Sequence, residues 1–299
     1  MTILHRGTQN PFVGQTDEIH CDRNDVSAVR KALRDKQFDV VFDNVYDWQR
    51  GTTAEQVKAT ALASAESLQR YVFTSSIAAY GEGFDLTEGD PLAPANHSES
   101  YVRNKAETER MLFRLHRERD FPAVTLRPPY IYGPENPFYR EAFFWDRLMA
   151  GRPVIVPGDG EHLMQFVFVM DLVQAAVVAA EKDEAVGCAY NVANPQPVTQ
   201  KRLIEALAQA AGKTEKMVFV PREKLRTAGG NMFEPPFYFA QYFDMPSMTL
   251  NTERANRELG FEATPFEEGL AETFTWYQAQ NRGKPDFSFD DRIFSDIPV

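Results

Sequence analysis

The chain has 299 residues, which is enough for one large domain or two joined smaller ones with a substantial core. Its composition, 43% hydrophobic and 25% charged, excludes collagen-like repeats, disordered chains and disulfide scaffolds. The net charge of -11 makes nucleic acid and anionic membranes poor partners, because both are bound through basic surfaces. Cys21 and Cys188 are expected to be free thiols, and no apolar segment has the length of a signal peptide or a membrane span. We therefore expect a cytoplasmic protein.

Short apolar runs alternate with amphipathic segments in the first two thirds of the chain. This alternation is typical of βαβ units and predicts an α/β fold, in which helices cover both faces of a parallel sheet. The predicted strands are Thr2–His5, Glu18–Cys21, Phe38–Phe42, Tyr71–Thr74 and Ala123–Leu126. The predicted helices are Val26–Leu33, with Asp25 as its cap, Thr53–Leu68 and Ser98–Arg119.

The pattern changes after Arg127. Residues 127–138 contain four prolines, which predicts an ordered loop. The segment between Pro221 and Pro246 is aromatic and proline-rich, so we expect an irregular lid or pocket wall there rather than a sheet element. The tail from Lys284 is expected to lie along the surface. Further helices are predicted at Asp171–Lys182, Thr199–Ala211, Thr252–Leu259 and Phe266–Gln280.

Tyr101 and Lys105 are four residues apart on a predicted helix, which places both side chains on one face. An ammonium group beside a phenol favours the phenolate, so we expect Lys105 to lower the pKa of Tyr101 towards neutrality. Ser75 and Ser76 directly follow a predicted strand, at the end where open α/β sheets bind ligands. Alone, the pair Tyr101 and Lys105 is equally compatible with two solvated helix residues, and the serines with a turn. The three elements in this order favour a catalytic site.

With these residues in place, the sequence resembles an extended short-chain dehydrogenase/reductase of the NAD-dependent epimerase/dehydratase family. The resemblance covers essentially the whole chain and implies catalytic roles for Ser76, Tyr101 and Lys105. It further implies a Rossmann-type domain at residues 1–130 and about 162–194, and a substrate-binding domain at about 131–161 and 195–299. The motifs that carry it are TSSIAAYG, YVRNK, RPPYIYGP at Arg127–Pro134 and FVMDL at Phe168–Leu172.

The same resemblance implies a set of cofactor contacts. Asp22 stands where the family has an aspartate that contacts adenine, Asn44 and Val45 line the cofactor groove, and Pro129 passes the nicotinamide. Tyr130 replaces an asparagine that holds nucleotide sugars in many members, and it is expected to contact the substrate. The complete set of expected cofactor-binding residues is Arg6, Asp22, Asn44, Val45, Ser75, Tyr101, Lys105 and Pro129.

The resemblance also leads us to expect one further element before Thr2, which the sequence does not contain. The family begins with a strand, a glycine-rich turn and a helix that hold the cofactor pyrophosphate, and their strand lies at the middle of the sheet. Without it, the second and fourth strands of the family order are expected to present two unpaired edges. We expect either that the natural chain starts about 25 residues upstream, the length of one such unit, or that this is a degenerate, cofactor-free relative. The intact Ser76, Tyr101 and Lys105 favour the first hypothesis.

The expected activity is a hydride transfer between NAD or NADP and a hydroxyl or carbonyl carbon of a sugar or nucleotide-sugar-like substrate. Arg6 ends the first predicted strand where NAD enzymes carry a carboxylate, which slightly favours NADP. Phe168 stands in place of a family histidine and, with Tyr130, argues against a UDP-sugar epimerase. The sequence leaves epimerase, dehydratase and reductase open.

The form of Arg127–Pro134 also resembles the branch of the family that includes the chloroplast stem-loop RNA-binding proteins. A non-catalytic or RNA-binding relative is therefore the alternative, although the negative charge and the lack of a basic run argue against nucleic acid. Family resemblance implies a homodimer packed through Thr53–Leu68 and Ser98–Arg119. No metal site is predicted, because no paired ligand spacing occurs among His5, His20, His97, His116 and His162.

Overall fold

The computed structural model describes residues 1–7 and 11–295. Its strands are β1 Thr2–His5, β2 Asp17–His20, β3 Val40–Asp43, β4 Arg70–Thr74, β5 Gly83–Leu86, β6 Ala123–Arg127, β7 Tyr130–Tyr132, β8 Val154–Pro157, β9 Leu163–Met164, β10 Phe166–Phe168, β11 Ala189–Asn191, β12 Val198–Thr199, β13 Met217–Val220 and β14 Met248–Leu250. Its helices are α1 Val26–Ala32, α2 Ala54–Ala63, α3 Ser100–Arg119, α4 Glu141–Met149, α5 Val169–Glu181, α6 Gln200–Ala210, α7 Arg222–Thr227, α8 Phe266–Ala279 and α9 Ser288–Ser295.

The central sheet has four parallel strands in the order β11–β6–β4–β3. Apolar side chains of α2 and α3 pack against one face of this sheet, through Val57, Leu112 and Leu115, and α5 covers the other face with Leu172 and Ala175. Helices on both faces explain why β4 and β6 are buried along almost their whole length. The predicted α/β architecture with a parallel sheet is confirmed.

Strands β1 and β2 form a separate parallel pair. Among the described residues, no strand is hydrogen-bonded between β1 and β3, so the expected pair of open strand edges is present. Arginine side chains connect this strand pair to the segment around the end of β3 instead. Arg23, just after β2, donates to Asp43 at 2.7 Å and to the Val45 carbonyl at 2.8 Å, and Arg6 donates to Asp47 at 2.9 Å.

Local signals set most of the element boundaries. Asp25 caps α1, as predicted, because its carboxylate accepts hydrogen bonds from the Ser27 and Ala28 amides at 3.0 and 2.9 Å. Helix α2 is shorter than predicted and ends at Ala63. There the Ser64 hydroxyl donates to the Thr60 and Ala61 carbonyls, and the chain then turns towards β4.

A second and larger apolar core lies in the carboxy-terminal part, between α4, α6, α8 and the strands β8 and β10. The predicted helix Thr252–Leu259 is confirmed as a short helical segment over residues 253–259, of which Ala255–Leu259 is π-helical. Two other expectations are corrected: the proline-rich loop contains β7, which pairs with β10, and much of the segment from Pro221 to Pro246 is core rather than lid. Tyr238, Phe239 and Phe243 of that segment are buried in this core.

The tail from Lys284, which was expected to lie along the surface, contains helix α9. Helix α9 buries Phe289 and Ile293 against the carboxy-terminal core, and its Asp290 pairs with Arg147 at 2.7 Å with both side chains almost fully enclosed. A surface tail was predicted because its acidic residues look solvated in sequence. Cys21 and Cys188 are free thiols, as expected. Within residues 1–7 and 11–295, no helix combines the length and apolarity needed to cross a membrane.

Candidate functional site

The carboxyl ends of β4 and β6 and the first turns of α3 meet at one edge of the central sheet. Ser76 follows β4 and caps a 3-10 turn, where its Oγ accepts a hydrogen bond from the Ala78 amide at 3.1 Å. The next amide, of Ile77, donates to the Pro128 carbonyl at 2.9 Å, which ties this turn to the segment after β6. Ser76 is thereby fixed where open α/β sheets bind their ligands.

The structure brings Ser76, Tyr101 and Lys105 together, as the sequence predicted. The Ser76 hydroxyl lies close enough to the Tyr101 side chain to lower the pKa of that phenol in part. Lys105 lies one helical turn further along α3, with Nζ 5.8 Å from the centre of the Tyr101 ring. Its ammonium donates to the Thr74 carbonyl at 2.7 Å, so the end of β4 holds it in place. A reactive oxygen between Ser76 and Tyr101 would thus have two hydroxyl partners.

The expected lowering of the Tyr101 pKa is wrong for this structure. Burial is the largest influence and raises the pKa of Tyr101 to about 12, while the nearby Ser76 hydroxyl lowers it only in part. Lys105 does not offset this, because its ammonium is directed at the Thr74 carbonyl. The phenol is therefore protonated at neutral pH, but it is a weaker acid than a tyrosine whose pKa is tuned towards neutrality.

Burial also lowers the pKa of Lys105, to about 8, and the nearby Asp43 carboxylate opposes part of that shift. Asp43 itself accepts hydrogen bonds from Arg23 at 2.7 Å and from the Tyr71 hydroxyl at 2.5 Å. Lys105 is therefore a buried, readily neutralised amine within a polar network that spans β3, β4 and α3.

Ser75 does not face the site as expected. Its hydroxyl donates to Glu109 at 2.5 Å, and the side chain is turned into the protein. Glu109 in turn pairs with Arg127 at 2.6 Å, and Arg127 donates to the Tyr80 hydroxyl at the same distance. This buried network joins β4, α3 and β6 directly beneath Ser76, so Ser75 acts as part of the frame and only its backbone remains for a cofactor.

An aromatic cluster that sequence reasoning missed covers Tyr101. Trp48 stacks on the Tyr101 ring at 4.9 Å between centroids and on Tyr242 at 5.8 Å. Tyr46 meets Tyr101 edge-on at 4.8 Å, and Phe138 meets Trp48 edge-on at 5.5 Å. The available signal was the position of Tyr46 and Trp48 directly after Asn44 and Val45, at the carboxyl end of a sheet strand.

The residues expected at the adenosine half of the cofactor lie close together but are already paired. The Asp22 carboxylate accepts two hydrogen bonds from Arg50, at 2.7 and 3.0 Å, and this lowers the pKa of Asp22. Asp47 binds both Arg50 and Arg6, so the cation that favoured NADP is compensated within the protein. Asn44 and Val45 are exposed at the end of β3 and remain available to a ligand.

The residues present fit one half of a nicotinamide dinucleotide better than the other. Tyr101, Lys105 and the half-exposed Pro129 surround the place where the resemblance puts the nicotinamide riboside. Among the residues that the structure describes, no glycine-rich turn leads from a parallel strand into a helix, so these residues provide no cradle for the pyrophosphate.

Tyr130 borders the site from the other side and donates a hydrogen bond to the Tyr242 carbonyl at 3.0 Å. Next to it lies Arg140, which is 8% exposed and packs over the rings of Phe138 and Tyr130 at 4.5 and 5.6 Å. Its Nε has no hydrogen-bond partner among the described residues, and Arg140 is close enough to lower the pKa of Tyr101. Burial lowers the pKa of Arg140, and the nearby Glu141 carboxylate opposes part of that shift without a direct salt bridge among the described residues. A buried guanidinium of this kind is suited to binding an anion.

Comparisons with known proteins identify the family and the fold. The model of the NAD dependent epimerase/dehydratase family matches residues 2–193. The chain is 30% identical to the chloroplast stem-loop binding protein of 41 kDa b from Arabidopsis thaliana, over 92% of this chain and 68% of that protein. It is 26% identical to a UDP-glucose 4-epimerase from Mycolicibacterium smegmatis, over 85% of this chain and 74% of that enzyme.

Among solved structures, it superimposes on the dTDP-glucose 4,6-dehydratase DesIV from Streptomyces venezuelae with a TM-score of 0.71 and 19% identity, covering 93% of this chain and 87% of that one. That structure was determined with NAD bound. The fold is thus of the Rossmann type found in the extended short-chain dehydrogenases/reductases. The chain belongs to the NAD-dependent epimerase/dehydratase family.

Proposed function

We propose that this protein is a nicotinamide-dependent oxidoreductase that acts on a hydroxyl or carbonyl group of a sugar or nucleotide-sugar-like substrate. The observation that carries the proposal is the convergence of Ser76, Tyr101 and Lys105 at the carboxyl end of β4, where Lys105 Nζ lies 5.8 Å from the centre of the Tyr101 ring. Relatives whose names state epimerase or dehydratase activity on nucleotide sugars support the substrate class.

Each of the three side chains has a separate task in this proposal. When bound, the nicotinamide supplies or accepts a hydride at the substrate carbon. Tyr101 exchanges a proton with the substrate oxygen, Ser76 positions that oxygen by a hydrogen bond, and Lys105 holds the cofactor ribose. With its pKa raised to about 12, Tyr101 is protonated at neutral pH and starts as the acid in the reduction of a carbonyl, although the raised pKa makes it a weaker proton donor. The base role needs the Lys105 ammonium to turn from Thr74 towards the phenol.

The proposed cofactor is NAD or NADP. Side chains or backbone groups of Asp22, Asn44, Val45, Ser75, Tyr101, Lys105 and Pro129 would hold it. The choice between the two dinucleotides depends on Arg6, whose guanidinium would have to leave Asp47 in order to bind a 2′-phosphate. Binding titrations with NADH and NADPH measure that preference directly.

For the substrate, we propose an anionic group bound by Arg140, with Tyr130 beside it. Because the buried Arg140 guanidinium lies close to Tyr101 and its Nε has no hydrogen-bond partner among the described residues, a phosphate or carboxylate of the substrate would add to the neutralisation that the nearby Glu141 provides. A nucleotide sugar carries such a group. The R140Q variant should therefore raise KM for a charged substrate much more than it lowers kcat.

The test of the reaction compares the Y101F variant with the wild type and with Y277F. Tyr277 lies in the carboxy-terminal core and donates to Asp146 at 2.7 Å, so its variant controls for the loss of a tyrosine hydroxyl elsewhere. UDP- and dTDP-hexoses are offered with NAD and with NADP, and turnover is followed by absorbance at the nicotinamide band and by NMR of the sugar. Loss of the Tyr101 hydroxyl should lower kcat about 10²–10⁴-fold. Full turnover by Y101F would refute the mechanism.

A second candidate is a non-catalytic relative that binds RNA. The 30% identity to a chloroplast stem-loop binding protein favours it, and the net charge of -11 opposes it. It predicts binding of a stem-loop RNA at moderate salt together with no turnover and no dinucleotide binding. Nitrocellulose filter binding and the titrations above distinguish the two candidates.

Two structural proposals accompany the functional one. We propose that the dinucleotide-binding unit consists of residues 1–130 and about 162–194, with the remainder as the substrate-binding unit. We also propose a homodimer formed through the segments Thr53–Leu68 and Ser98–Arg119. Light scattering coupled to gel filtration, with a charged substitution at the partly exposed Leu62, tests the dimer.

A further inference from the structure

Two histidines and a glutamate meet on the face of the β1–β2 pair that is turned away from α1. His5 and His20 are the last residues of the two strands and lie opposite each other in the parallel register. Glu18 is two residues before His20, so its side chain is on the same face of the strand. Leu4 and Ile19, which directly precede His5 and His20, pack towards α1 on the other face.

The three side chains converge closely. Glu18 Oε2 lies 3.2 Å from His5 Nε2 and 3.1 Å from His20 Nε2, and all three ligand atoms are within 4.8 Å of one another. A tetrahedral zinc ion with ligands at about 2.1 Å separates neighbouring ligand atoms by about 3.4 Å. Only small side-chain movements would therefore let one ion contact all three.

The donor set identifies the class of ion. Two imidazoles and a carboxylate are zinc ligands, and nitrogen donors disfavour calcium and magnesium. The His20 side chain is 62% exposed, which gives an ion access and leaves room for a water as the fourth ligand. The nearest positive residue in sequence, Arg6, is paired with Asp47 and so opposes a cation less than an uncompensated arginine would.

We propose that His5, Glu18 and His20 form a binding site for Zn²⁺ or a similar divalent transition metal. The ion would link the carboxyl ends of β1 and β2, the pair that is joined to the central sheet by side chains rather than by strand hydrogen bonds. The site is independent of the oxidoreductase proposal, since none of its three ligands belongs to the Ser76, Tyr101 and Lys105 group.

The test is a calorimetric titration of the metal-free protein with Zn²⁺, followed by thermal unfolding with and without the ion. One Zn²⁺ per chain should bind, and the unfolding temperature should rise, because the ion binds the folded form. The H20A and E18Q variants should weaken Zn²⁺ binding at least about tenfold. His20 and Glu18 are both exposed, so circular dichroism of these variants should match the wild type.

Two controls separate this site from other donors. The H97A variant removes a histidine outside this cluster, and the C21S variant removes the thiol of the buried Cys21, which follows His20 in the sequence. Both should bind Zn²⁺ like the wild type. Equal Zn²⁺ affinity in H20A, E18Q and the wild type would overturn the proposal, as would the absence of stoichiometric binding. A visible spectrum of the Co²⁺ protein that changes in H20A but not in H97A would confirm imidazole ligation.

Discussion

The buried pair of Glu109 and Arg127 provides the most quantitative prediction. Glu109 has no exposed side-chain surface, Arg127 is 3% exposed, and their closest atoms are 2.6 Å apart. Glu109 accepts further hydrogen bonds from Ser75 at 2.5 Å and Thr125 at 3.3 Å. An E109Q substitution keeps the shape but leaves the Arg127 charge enclosed without a counterion. Such losses cost about 3–5 kcal/mol, because the buried charge is no longer compensated.

Urea unfolding followed by circular dichroism measures this cost. With a slope of about 2–3 kcal/mol/M, the midpoint of E109Q should fall by about 1–2.5 M. The matched control is E107Q, two residues earlier on α3. Glu107 pairs with Arg110 at 2.6 Å, but both side chains are about one-third exposed, so the change should stay below about 1 kcal/mol. The double variant E109L/R127M should recover part of the loss, because it removes both charges.

Two results would refute this reasoning. A destabilisation of E109Q no larger than that of E107Q would show that the enclosed pair contributes no more than a surface pair. A double variant less stable than E109Q would show that hydrogen bonding to Ser75 and Thr125, rather than charge compensation, dominates.

Three further predictions concern the site. The pKa of Lys105 falls from 10.5 to about 8 on folding, so burial of its ammonium opposes folding below pH 8, and the free energy of unfolding rises as the pH increases from 8 to 10.5. The K105M variant should therefore be more stable than the wild type at pH 7, and its urea unfolding should lack that pH dependence. W48A should admit water to Tyr101 and lower its pKa from about 12, measured by NMR of Cζ-labelled tyrosine assigned with Y101F; an unchanged pKa would contradict the covering role of Trp48. The pKa of Asp47 is lowered to about 2 by hydrogen bonds from Arg50, so its stabilisation holds above pH 4 and disappears as the pH falls to 2; D47N should reduce the acid dependence of unfolding.

Features that depend on neighbouring residues along the chain could be predicted from the sequence. Alternating apolar runs predicted the parallel sheet, the spacing of Tyr101 and Lys105 predicted a shared helix face, and Asp25 predicted a cap. Each depends on the periodicity or hydrogen-bonding geometry of a few consecutive residues. The missing strand partner between β1 and β3 was predicted as well, because strand order in this fold class is regular.

Features that depend on contacts between residues far apart in sequence are visible only in the tertiary structure. The direction of the Tyr101 pKa shift depends on burial beneath Trp48 and on the Thr74 carbonyl that holds Lys105, and neither is visible in local spacing. In the tail, helix α9 is held against the core by the ion pair between Asp290 and Arg147, which are far apart in sequence. The proximity of His5 and His20 is likewise absent from any ligand spacing in the sequence, because it results from the parallel pairing of β1 and β2. Long-range pairing determines these features, and local sequence patterns carry almost no information about it.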